Sequence, residues 1–93
     1  MINLEFVLEI AAQEKAYKPV GFDNNENGYD EAIIGISNDF RLIYSIEKMI
    51  HLTSIQGEMS LEDAQDWLSF NTFSSGGGES MPIYANTYEY IDE

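Results

Sequence analysis

Two short runs constrain this chain more than any other feature: Glu31–Ser37 (EAIIGIS) and Phe40–Ser45 (FRLIYS). Both are rich in β-branched and aromatic residues, and only Asn38 and Asp39 separate them. Such side chains fit a pleated surface, and Asn and Asp tolerate the positive φ of a tight turn. The two runs are therefore expected to form an antiparallel hairpin turning at Asn38-Asp39. Alternation places Ile34 and Ile36 on one face with Ile33 opposite. It also places Phe40, Leu42 and Tyr44 together, with Arg41 and Ile43 opposite. Gly35 inside the first strand signals a bulge or a close backbone approach.

The flanking segments carry helical spacing. Leu4, Val7, Leu8 and Ala11 recur on one helical face, with Asn3 as N-cap, Glu5 in the first turn and Pro19 as the stop, which predicts a helix over 3–17. Phe6 and Ile10 add apolar groups, so contact on two sides of this helix is expected. A second helix follows over 46–56, between the N-cap Ser45 and Gly57 as C′ residue, with Ile46, Met49, Ile50 and Thr53 turned inward. The third begins at Ser60, where Ser60-Leu61-Glu62-Asp63 resembles a capping box. Leu61, Ala64, Trp67 and Leu68 are its expected core positions, Phe70 continues them, and Asn71 ends the helix in a left-handed conformation. Met81–Ala85 reads as a third strand, held to an edge by Pro82. The order α-β-β-α-α-β is an α+β fold: a small antiparallel sheet, hairpin plus edge strand, packed by three helices.

The 93 residues support one domain, 1–93, with flexible loops at 21–29 and 74–80 and a polar tail over 86–93 that is expected to fray. Ser74 to Gly78 reads as a connector. The opening MINLEFVLEI lacks the basic start of a signal peptide, and no run of about 18 apolar residues offers a membrane span.

Seventeen Asp and Glu against four Lys and Arg leave a formal charge of −13. That charge repels phosphates, so direct binding to nucleic acid or an anionic membrane is disfavoured and a basic partner is favoured. The absence of cysteine removes disulfides, thiolate nucleophiles and thiolate zinc sites, and suits a reducing cytosol. The single histidine, His51, has no sequence neighbour that would make it an acid–base pair, and reads as a partly exposed helix residue. No G-x-S-x-G elbow, phosphate loop or H-x-x-x-H pair occurs. The expectation is therefore a protein that is not an enzyme and needs no cofactor. Asp23, Asn25, Asn27 and Gly28 match the first half of a calcium loop, but Ile34 stands at the twelfth position, where a bidentate Glu belongs, and Glu31 at the ninth compensates only in part. A plain surface loop is the better reading.

Four pieces in order, DEAIIGIS (30–37), RLIYSIEKMI (41–50), MSLEDAQDWLSFNT (59–72) and PIY (82–84), resemble a group of small proteins encoded by tailed bacteriophages. The resemblance covers roughly half the chain. It implies a source, and hence a bacterial host cytoplasm, and brings no activity with it. Glu58, between Gly57 and Met59, and the loop Ser74 to Gly78 depart from the group's pattern.

Regularly displayed carboxylates can imitate phosphates and block a basic groove. Joined to the phage resemblance, this points to an inhibitor of a host nucleic-acid-handling or defence protein, of the anti-CRISPR, anti-restriction or DNA-mimic type. The candidate contacts are Glu58, Glu62, Asp63 and Asp66, then Asp30, Glu31 and Asp39 around the hairpin. Tyr88 and Tyr90 with the terminal Asp92 and Glu93 would add a further contact. The alternative is a small structural or regulatory phage protein that self-associates, for example as a homodimer. It would use a strand edge or Phe70, Phe73 and Tyr84, with its charge serving solubility alone.

Overall fold

Helix α1 (Leu4–Gln13) starts where the Asn3 side chain accepts a hydrogen bond from the Phe6 backbone N–H at 3.1 Å. The computed structural model describes residues 2–25, 28–73 and 80–87. Val7 and Ala11 of α1 are buried and Leu4 and Leu8 pack against the core, as the spacing requires. Phe6 is exposed, so the expected second contact side does not extend to it. The helix also ends before Pro19. Glu14 caps it and Lys15 takes a left-handed φ of 57°. The turn brings Ala16 against the core and buries Pro19, so compaction of the following segment ends the helix four residues earlier than proline would.

The hairpin forms from β1 (Ile33–Ile36) and β2 (Leu42–Ser45), paired antiparallel. Ile33 pairs with Tyr44, Gly35 with Ile43 and Ile36 with Leu42, with an irregularity between Ile33 and Gly35. Paired residues share a face, so this bulge puts Ile33 and Ile36 on the same side as buried Leu42 and Tyr44. Strict alternation had placed Ile33 opposite Ile36; the extra residue, Ile34, resets the phase.

The turn is also longer than a two-residue one. The Phe40 N–H donates to the Ser37 carbonyl at 2.9 Å and the Ser37 N–H to the Arg41 carbonyl at 2.8 Å. Phe40 carries the positive φ (64°), and Asn38 and Asp39 do not. This is the three-residue hairpin loop, a turn closed by a left-handed residue. Phe40 thus leaves the strand face it was expected to share with Leu42 and Tyr44.

Helix α2 (Ile46–Gly57) begins at Ser45, whose hydroxyl accepts from the Lys48 N–H at 3.2 Å. Met49 and Thr53 are buried, while Ile46 and Ile50 are half-buried. The left-handed C-cap is Glu58 (φ 50°), not Gly57, which stays helical. A Cβ on Gly57 would crowd the Phe22 ring at 3.1 Å and displace the end of the Met59 side chain, so close packing against Phe22 favours glycine there.

Helix α3 (Leu61–Asn71) is capped by Ser60, which accepts from the Asp63 N–H at 3.1 Å. Asn71 is helical and its amide donates to the Trp67 carbonyl at 2.8 Å; Thr72 is the C-cap.

Strand β3 (Ile83–Ala85) joins β2 in parallel, giving the order β1-β2-β3. The fold is α+β in the expected order α-β-β-α-α-β, with β3 at an edge, but the sheet is mixed and not wholly antiparallel. Parallel neighbours need a crossover of a dozen or more residues, and the two helices supply it. Arg41 Nε donates to the Met81 carbonyl at 2.8 Å, tying the hairpin to the approach of β3. Beyond β3, Thr87 donates its N–H to Glu47 Oε1 at 2.7 Å and its hydroxyl lies 2.9 Å from that of Ser45.

Candidate functional site

The periodicity of α3 divides its surface. Ala64 and Leu68 are buried. Glu62, Asp63 and Asp66 lie on the opposite side and are exposed. Glu62 and Asp66 are four apart, and Asp63 and Asp66 three apart, so the three carboxylates are neighbours on one helical face. Glu62 and Asp63 also occupy the first turn, where the helix dipole favours negative charge. Phe70 follows Asp66 by four residues and is 83% exposed. Its expected place in the core fails because two residues of helix rotate it about 200° from Leu68. Leu61 lies on the core stripe but at the first helical position, and remains 46% exposed. Glu58, exposed in its left-handed cap, precedes this face.

The remaining candidates are dispersed. Asp30 is half-buried and paired with Lys18, whose Nζ lies 3.1 Å from Oδ1 and 3.2 Å from Oδ2. Glu31 is exposed and lines a depression with Lys48, His51 and Ile55. Asp39 accepts a hydrogen bond from the Ser37 hydroxyl and borders a different depression, with Glu14 and Phe40. Asp92, Glu93, Tyr88, Tyr90 and the Ser74 to Gly78 connector lie outside the described residues.

The loop with the partial calcium pattern is organised by Gln56. Its Oε1 accepts from the Phe22 N–H and its Nε2 donates to the Gly28 carbonyl, both at 2.9 Å. One side chain therefore clamps both ends of the loop. Within it, Asp23 (φ 51°) and Asn24 (φ 61°) are consecutive left-handed residues. Asn27 lies outside the described residues, and Glu31 belongs to a different depression from Asp23. Among the described residues no group of three or more His, Cys, Asp or Glu side chains could hold a metal ion.

Sequence reasoning missed one feature. Beside this loop lies a cleft of about 250 Å³, lined by Tyr17, Trp67, Tyr84, Asp23, Asn24 and Asn71. Trp67 stacks obliquely on Phe22, with ring centres 5.0 Å apart, and Tyr84 on Phe73 at the same separation. Burial, and then the nearby Tyr17 and Tyr29, push the Tyr84 phenol up to about 12. Four segments supply these residues. The only hint in the sequence was the helical pair Trp67 and Asn71, four apart.

No protein-family model matches the chain, and neither a curated protein nor a solved structure is significantly similar to it. Among the described residues no helix is long and apolar enough to cross a membrane.

Proposed function

We propose that this is an acidic binding protein that occupies a basic surface of a host nucleic-acid-handling or defence protein. The observation that carries this reading is the outward face of α3, where exposed Glu62, Asp63 and Asp66 are followed by an 83% exposed Phe70. A cluster of carboxylates steers and orients a basic surface, and an exposed aromatic supplies the apolar anchor that charge alone lacks. The acid excess of the whole chain extends the steering field. Asp30, already paired with Lys18, contributes less to it. The phage resemblance supplies the biological setting.

The test is capture from nuclease-treated bacterial lysate on the immobilised protein, eluted with rising salt. Recovery of one basic nucleic-acid-handling protein, lost when Glu62, Asp63 and Asp66 are all changed to Lys, is the expected result. Unchanged capture by that variant overturns the role of this face.

The exposed Ile55, Leu61 and Phe70 favour a second reading, self-association of a structural or regulatory phage protein. Sedimentation over a range of concentrations separates the two. A dimer insensitive to salt and abolished by Phe70→Ser, with no basic protein captured, favours the second.

A further inference from the structure

We propose that the cleft formed by Tyr17, Trp67, Tyr84 and Asp23 binds the guanidinium group of an arginine side chain presented by the basic partner. This deepens the reading above and rests on it for the source of the arginine.

Size comes first. Pockets for drug-sized ligands run to roughly 300–1,000 Å³. A cleft of about 250 Å³ is smaller and suits a single long side chain. Its walls set the chemistry. Aromatic faces attract cations, and a guanidinium is planar and weakly hydrated, so it stacks on such rings readily. Tyr17, Trp67 and Tyr84 provide three rings, two of them fixed by their own stacking on Phe22 and Phe73. A guanidinium also carries five N–H donors and needs acceptors in reach. Asp23, with its carboxylate, and Asn24, with its amide, are among the residues that line the cleft. Asn71, whose amide nitrogen donates to the Trp67 carbonyl, also lines the cleft and keeps its amide oxygen as an acceptor. A quaternary ammonium would leave these acceptors unused, and an anion would meet the Asp23 carboxylate. Asp23 and Asn24 both take left-handed conformations at this cleft, which Asp and Asn adopt more readily than other residues with a side chain. The Gln56 clamp on Phe22 and Gly28 holds the loop that bears them.

Trp67 is the only tryptophan in the chain, so its emission reports on this cleft. The experiment titrates N-acetyl-arginine N-methylamide into the full chain and follows that emission, with the uncharged citrulline counterpart as control. The expected result is a saturable change with the arginine probe and none with citrulline. Asp23→Asn should weaken the arginine response about fivefold, a pairing worth about 1 kcal/mol. Asn accepts a left-handed conformation as readily as Asp, so this variant removes charge and not shape. Glu5→Gln with Glu9→Gln, the same loss of two charges on exposed positions of α1, should leave the response within about twofold, because neither residue lines the cleft. Tyr17→Leu, at an exposed position, is the second variant and should also weaken binding. A response that does not saturate, equals that of citrulline, or survives both Asp23→Asn and Tyr17→Leu overturns the proposal. The titration requires no protein partner. Its failure therefore leaves the acidic-face reading standing, and failure of lysate capture leaves the cleft untouched.

Discussion

The Tyr29 hydroxyl lies 2.7 Å from the Thr53 hydroxyl inside the core, where the two residues are 1% and 0% exposed. Each is the partner that makes burial of the other tolerable. Thr53→Val keeps the shape but leaves the Tyr29 hydroxyl unsatisfied, and should cost about 1–3 kcal/mol in urea unfolding. The double variant Tyr29→Phe, Thr53→Val removes both orphaned groups and should cost less than the sum of the single changes. Additive costs would show that the hydroxyls do not interact.

Alkaline pH should destabilise the protein through its buried phenols. Burial raises Tyr84 to about 12. Burial first, and then the Asp30 carboxylate, also raise Tyr44. A group whose folded pKa is raised contributes stability that is complete below its unfolded pKa, near 10, and is lost as pH climbs through the folded value. Thermal stability should therefore fall from pH 10 upward, with Tyr84 and Tyr44 both contributing up to about 12 and Tyr44 continuing the decline above that range. Tyr84→Phe should flatten the first part of this decline in melts taken across that range.

Of the non-glycine residues in the left-handed region, Phe40 closes the hairpin turn and Glu58 ends α2. Phe40→Gly and Glu58→Gly should each recover about 1 kcal/mol of local strain, offset in part by the entropy of glycine in the unfolded chain. Phe40 is 45% exposed, so the covered half of its ring offsets part of that gain. An unchanged or lowered denaturation midpoint would mean that the Phe40 ring contributes more to stability than its exposure suggests.

Gln56 should govern the order of the Gly21 loop. Gln56→Ala loses both clamping hydrogen bonds. The expected cost is about 1–2 kcal/mol, with faster hydrogen exchange at the Phe22 amide and less change at Leu42 in β2. Gly21→Ala should act on the same loop by crowding. Its Cβ would lie 2.9 Å from both the Asn25 carbonyl oxygen and Gln56 Oε1.

Local chemistry was legible in the residues themselves. Asn3, Ser45 and Ser60 cap helices as their side chains allow, Gly35 adjoins the bulge, and Pro82 precedes an edge strand. The outward position of Glu62, Asp63 and Asp66 likewise follows from helical period alone. What depended on distant partners was not legible. The end of α1, the phase of Ile33 and the helical state of Gly57 were decided by packing against segments remote in sequence. The parallel entry of β3 was decided by the crossover through α2 and α3. The aromatic cleft lies further beyond sequence reading, because Tyr17, Asp23, Trp67 and Tyr84 meet only after the sheet and helices have closed. Periodicity reports which face of an element is apolar, whereas a cleft is defined by which elements become neighbours, and tertiary packing sets that.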